Sequence, residues 1–98
     1  MLEDVDWSQR RTYMYARHGV TIRVANEAID DRERIVIRPD YASRSGRSIR
    51  VIGYSQLLET LVTVILVEHE GAMYGANGWR SDKRDARIYR GAEGGHDE

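Results

Sequence analysis

The residue types in this chain that can do chemistry are arginines interleaved with aromatic and amide side chains. Arg44, Arg47, Arg50 and Tyr54 stand in the middle of the sequence, and Asn77, Trp79, Arg80, Arg87 and Tyr89 near its end. Guanidinium groups match phosphate geometry with forked donors. In a water-poor site they stabilise charge developing on a phosphoryl group. Tyr and Trp rings stack unpaired bases. Phosphodiester cleavage also needs a proton acceptor and a donor. His18 is a candidate, because imidazole titrates near neutral pH, and Tyr54 is another. Taken singly, each residue fits a plainer role. His18 can close a helix against its dipole, Tyr54, Trp79 and Tyr89 can be core aromatics, and the arginines can be solvated or paired with Asp. Only the clustering points to RNA.

Other chemistries find little footing. There is no Cys, which excludes disulfides and thiolate catalysis. His18, His69 and His96 are scattered without an i, i+4 pair, so a metal site is not expected. Neither a phosphate-binding P-loop nor a G-x-S-x-G elbow occurs. No cofactor is implied.

The net charge is −1, so overall electrostatics do not announce a nucleic-acid binder. The distribution says more. Fourteen of the fifteen basic residues are Arg, and from Arg34 to Arg50 five Arg face the single Asp40. A locally basic face on a near-neutral protein follows. With 98 residues, 41% apolar and 32% charged, the chain reads as one globular domain over 1–90 with a disordered tail over 91–98. No apolar run approaches a membrane span, and the acidic, polar start is unlike a signal peptide, so a cytoplasmic protein is expected.

The elements that must position these side chains follow from periodicity. Residues 1–7 form a lead-in anchored by Trp7. Asp6 or Ser8 would cap a first helix running to Arg17, with Gly19 as its terminator. Thr21 opens a second helix whose Ile22, Ala25, Ala28 and Ile29 make an apolar stripe. Glu33–Arg38 reads as a strand stopped by Pro39, and residues 39–48 as a polar loop. Three further apolar runs, Ile49–Tyr54, Leu61–Val67 and Ala72–Ala76, read as strands. Leu61–Val67 is the central one, and the last two are joined by a hairpin at Glu68–Gly71. Leu57 and Leu58 fold back onto the core. Gly75 and Gly78 mark a bend or bulge that re-aims Asn77 and Trp79. Ser81 caps a last helix with Asp82 and Asp85 in its first turn, and Gly91 stops it. The expected fold class is α+β: two N-terminal helices, a four-stranded antiparallel sheet and a C-terminal helix, the helices on one face.

Trp7, Arg17-His18-Gly19-Val20 with Ala25, Ala28 and Asp30, then Asp40, Ile52-Gly53-x-Ser55, the apolar run Leu61–Val67 and a closing helix through Tyr89 occur in an order that resembles the BrnT-type toxins of bacterial type II toxin–antitoxin modules, small RelE-like ribonucleases. Arg17 stands where that family usually has Lys. Gly75-Ala76-Asn77-Gly78-Trp79 replaces a Ser-Ala-Arg-x-Ala segment, so Asn77 takes the place of its Arg, with Arg80 just beyond. The resemblance implies a metal-independent endoribonuclease that arrests growth. It also implies a cognate antitoxin as partner, a small dimeric DNA-binding protein often of ribbon-helix-helix type. In that reading Arg44, Arg47 and Arg80 bind phosphate, Arg50, Asn77, Arg87 and Tyr89 complete the RNA surface, Trp79 stacks a base, and His18, Tyr54 and Arg80 are the catalytic candidates. The alternative is a non-catalytic module of the same fold that binds a protein or nucleic acid.

Overall fold

The computed structural model describes residues 5–94. Its elements are β1 (Val5–Asp6), α1 (Arg11–His18), α2 (Ile22–Asp30), β2 (Ile35–Ile37), β3 (Ser48–Ser55), β4 (Thr60–His69), β5 (Ala72–Arg80) and α3 (Lys83–Gly94). The fold is α+β, but the sheet differs from the expected four antiparallel strands. It has five strands in the order β1-β5-β4-β3-β2, and β1 lies parallel to β5 through Val5 opposite Met73 and Asp6 opposite Tyr74. A two-residue strand leaves no periodicity to read, so its pairing is visible only in three dimensions. β4 is the central strand, as its two-sided apolar pattern requires.

The helices lie on both faces of the sheet, not on one. Val51 of β3 and Val62, Val64 and Leu66 of β4 are fully buried under Val24, Ala25, Ala28 and Ile29 of α2 and Met14 of α1. Strand alternation sends Arg50, Ile52 and Thr63 to the other side, where Asp85 of α3 meets Arg50 and Thr63. Gly53 is the point of closest approach between sheet and α2: a Cβ there would sit well inside contact distance of the Ala28 backbone.

Local signals explain most boundaries. The Thr21 hydroxyl caps α2 by accepting from the Val24 N–H at 3.2 Å. Gly19 closes α1 in the left-handed region at φ +71°. Glu70 and Gly71, at φ +52° and +82°, make the two-residue β4–β5 turn with both central residues at positive φ, as a tight hairpin prefers. β2 ends before Pro39, which follows a cis peptide. Elsewhere the expectations shift. α1 starts at Arg11 without a side-chain cap, because the Asp6 carboxylate is occupied by the Ser8 N–H and hydroxyl. Trp7 lies before the helix and is buried, its Nε1 donating to Asn26 Oδ1 at 3.2 Å. Asp82, not Ser81, caps α3, accepting from the Asp85 N–H at 2.9 Å. α3 continues through Gly91 to Gly94, so the expected tail is helical at its start. Residues 95–98 and the first four of the lead-in lie outside the described residues. Leu58 packs on the core, whereas Leu57 is exposed.

The foreseen irregularity near Gly75 is a β-bulge. Ile65 pairs with Asn77 and the next residue, Leu66, with Gly75, so Ala76 is the extra residue. The bulge inverts the alternation along β5. Met73 and Gly75 face α1 and α2, whereas Asn77 and Trp79 turn to the α3 side, and Gly78 returns under Met14 and Val20. Substituting Gly53 by Ala should destabilise the fold by about 3 kcal/mol or more, because the obstruction is backbone that cannot rotate away. Gly75→Ala, which would drive a methyl into the Trp7 ring, should cost a similar amount. Urea denaturation measures both; a loss under about 1 kcal/mol in either would show that the packing yields there.

Candidate nucleic-acid interface

Arg50 is the best-held side chain among the candidates, and it does not face solvent. Only 5% of it is exposed. Its Nε donates to Asp40 Oδ1 at 2.6 Å and its Nη1 to Asp85 Oδ2 at 2.5 Å and to the Tyr41 hydroxyl at 2.9 Å. Tyr41 in turn donates to Asp85 Oδ1, and Thr63 to Asp85 Oδ2 at 2.7 Å. Ser81 bonds the Thr63 hydroxyl at 2.7 Å. Among the described residues no buried side-chain polar atom lacks a partner. Arg50 therefore leaves the RNA-binding set: a guanidinium held between two buried carboxylates is unavailable to phosphate. Asp85, read from sequence as a dipole partner in a helix first turn, is a fully buried ion-pair partner. Asp40, the one acid in a basic stretch, was the available signal.

The same cluster orders its surroundings. Asp40 and Tyr41 belong to the β2–β3 loop, Arg50 to β3, Thr63 to β4 and Asp85 to α3, so four segments meet on one charge. Tyr41 is flanked by two guanidinium carbons, Arg50 at 4.1 Å and Arg84 at 3.9 Å from its ring centre. Burial, reinforced by the hydrogen bond to Asp85, pushes its phenol up to about 12. Burial alone would raise the Asp85 carboxyl, but the bonds from Tyr41, Thr63 and Arg50, together with the Arg50 charge, hold it below the usual carboxylate range.

Trp79 lies beside this cluster, 5.7 Å from the Arg50 guanidinium carbon. Its ring also meets His18, centre to centre 5.7 Å at a tilt of 55°. Two distant segments, the end of α1 and the end of β5, are thus brought together. Asn77 shares the Trp79 face of β5, and Arg80, next in the chain, is exposed. The Asn77 Oδ1 is occupied by the Gly78 N–H at 2.9 Å, which leaves its amide donors. Beside this end of β5, Arg10 donates from Nε to the bulge carbonyl of Ala76 at 3.1 Å and lies 4.2 Å from the Tyr13 ring centre. β5 is therefore shielded at its outer edge by self-made contacts. Arg10, the residue before α1, and Tyr13 were missed in the sequence; their i, i+3 spacing was the only cue.

The remaining candidates do not join this group. Arg44 and Arg47 are exposed on the β2–β3 loop, which Ser43 and Ser45 hydroxyls brace by accepting from Gly46, Ser48 and Arg47 N–H groups. That loop enters β3 at Ser48, whereas the Arg80 row crosses β3 at Gly53, about 16 Å along the strand. Tyr54 is on β3, two strands from Trp79, and lines grooves against α3 and against Glu27, Asp30 and Asp31. Its N–H and the Tyr89 hydroxyl both donate to Asp31 Oδ2, at 2.8 and 2.6 Å. Arg87 lines a separate hollow on α3 with Lys83 and Arg90. The arginine cluster expected from sequence is thus spread over three separate surfaces, with Arg50 buried.

Among the described residues no group of three or more His, Cys, Asp or Glu is placed to hold a metal ion, and no helix is long and apolar enough to cross a membrane. Removing Asp85 as Asp85→Ala should destabilise the protein by about 3–5 kcal/mol in urea denaturation, since Arg50 would stay buried with one carboxylate fewer. The pH profile should have two limbs. The Asp85 contribution stands above its ordinary 3.8 and fades as acid protonates it below that value. The Tyr41 contribution is complete below pH 10 and lost as pH rises through about 12. Thermal melts of Tyr41→Phe should lack the Tyr41 part of the alkaline fall; a profile identical to wild type from pH 9 to 12 would sink this assignment. Comparison with protein-family models and with curated proteins finds no match.

Proposed function

We propose that the chain is a small metal-independent endoribonuclease, the toxin component of a type II toxin–antitoxin module of BrnT-like, RelE-like fold. The observation that carries this reading is the contact of His18 with Trp79 at the end of β5, next to exposed Arg80. The imidazole and the stacking ring are in contact, and Arg80 is one residue further along the strand, on the opposite face of β5 from Trp79. A proton acceptor, a stacking surface and a cation are what RNA cleavage by internal attack requires. His18 takes the proton from a ribose 2′-hydroxyl, whose oxygen bonds to the adjacent phosphorus. The bond from phosphorus to the 5′-oxygen breaks, and that oxygen takes a proton from water. Arg80 offsets the charge on the phosphoryl oxygens, and Trp79 holds one flanking base. The products are a cyclic phosphate and a free 5′-hydroxyl. Tyr54 takes no part in this scheme, because it sits two strands away. The partner that restrains such an activity in the cell is a ribbon-helix-helix antitoxin encoded alongside.

The burial of Arg50 and the dispersal of the other arginines favour a second reading, a non-catalytic module of the same fold that binds a protein or nucleic acid. Incubating the purified protein with total RNA in EDTA separates the two. The ribonuclease should give discrete products, and His18→Ala should slow cleavage about 10²–10⁴-fold. Arg80→Ala should slow it about 10²-fold. Cleavage unaffected by both changes would remove the site from this end of β5. Salt-dependent RNA retention without product would establish the binding module instead.

A further inference from the structure

A second surface, between α1 and α2, carries a similar mix of cationic and aromatic side chains. Residues 9–26 contain four Arg and no Asp or Glu, although the whole chain is slightly acidic. This stretch folds into α1 and the first half of α2, and between them lies a groove of about 710 Å³. Arg11, Thr12 and Tyr15 line it from α1, and Ile22, Arg23 and Asn26 from α2. The volume falls in the range of small-ligand sites. Tyr15 is 61% exposed, so its ring is an open stacking surface. No ion pair engages Arg11 or Arg23 among the described residues. Glu27, one turn on from Arg23 in α2, feels the Arg23 charge but gives its Oε1 to the Ser55 hydroxyl and the Leu57 N–H. Asn26 gives its Oδ1 to Trp7 and so presents amide donors. The groove therefore offers two exposed guanidinium groups, one aromatic face and polar donors beside Ile22. Arg11, Tyr15 and His18 follow an i, i+4, i+7 spacing, so the groove leads along one helix stripe to His18, about 10 Å along the axis from Arg11 and about 4.5 Å from Tyr15.

We propose that the α1–α2 groove binds single-stranded RNA, with a base stacked on Tyr15 and its phosphates on Arg11 and Arg23, and that it guides the strand toward His18. The choice of RNA as occupant rests on the ribonuclease reading; the groove itself does not. The exposed positions of Arg11, Tyr15 and Arg23 make substitutions there cheap for the fold, and thermal melts verify this.

The test uses a short fluorescein-labelled 2′-O-methyl oligouridylate, which cannot be cut because it lacks the attacking hydroxyl. Its affinity is read by anisotropy across a salt series. The double variant Arg11→Ala/Arg23→Ala should bind about 10-fold more weakly or worse. Its salt dependence should be shallower by about 1.4 in log–log slope, the share of two phosphate contacts on a single strand. Arg11→Lys/Arg23→Lys should keep the wild-type slope, and Tyr15→Ala should weaken binding about 5- to 100-fold. Affinity and slope unchanged in the Ala variants would overturn the proposal. Cleavage of unmodified RNA is measured in parallel. Wild-type cleavage with no effect of the groove variants on binding leaves the ribonuclease standing and removes the groove. Groove-dependent binding without wild-type cleavage does the reverse, and a wild-type protein that neither binds nor cleaves removes both.

Discussion

The second face of the sheet is organised around the charge of Arg50. A guanidinium on a central-region strand of a small sheet, with about a twentieth of its surface exposed, is tolerated only if its donors are met. Asp40 and Asp85 meet them from a loop and from a helix that are 45 residues apart in the chain. Tyr41 and Thr63 donate to the remaining Asp85 lone pairs, and Ser81 bonds the Thr63 hydroxyl. Such a cluster contributes little net stability over a well-packed apolar one, but it is demanding about geometry. Each of its members must sit where the others can reach it. That requirement fixes where the β2–β3 loop lies and where α3 crosses the sheet. The opposite face is held differently, by apolar burial of α1 and α2 on Val51, Val62, Val64 and Leu66, with Gly53 and Gly75 providing room.

The bulge at Ala76 links the two halves of this construction to the proposed site. Without the extra residue, Trp79 would share a face with Met73 and Gly75 and be buried under the N-terminal helices. With it, Trp79 reaches Arg50 on one side and His18 at the strand edge. A buried structural charge thereby fixes the position of an aromatic ring that is itself only half-buried. The carbonyl exposed by the bulge is used as well, by Arg10. The start of α1 is tied to β5 by this bond and by the packing of Met14 on Gly78, so the cationic-aromatic surface of α1 lies beside the end of β5.

Residue patterns alone determined the α+β class, the central place of Leu61–Val67, the apolar stripe of α2, its Thr21 cap, the Gly19 stop and the presence of an irregularity near Gly75. These are local properties. Alternation, helical periodicity and the chemistry of caps act within a few residues, so they are written where they act. Only the tertiary structure decided that β1 pairs with β5, that α3 takes the opposite face from α1 and α2, and that the arginines divide into a buried one and separate exposed groups. Arg50 and Arg47 have the same side chain and lie three positions apart, yet one is locked between two carboxylates and the other is in solvent. The reason is that a guanidinium's role is set by which carboxylates the fold brings within about 3 Å of it. Asp40 comes from the neighbouring loop and was visible in the sequence as the one acid in a basic stretch, but Asp85 arrives from α3, 35 residues on, by packing that no local pattern encodes.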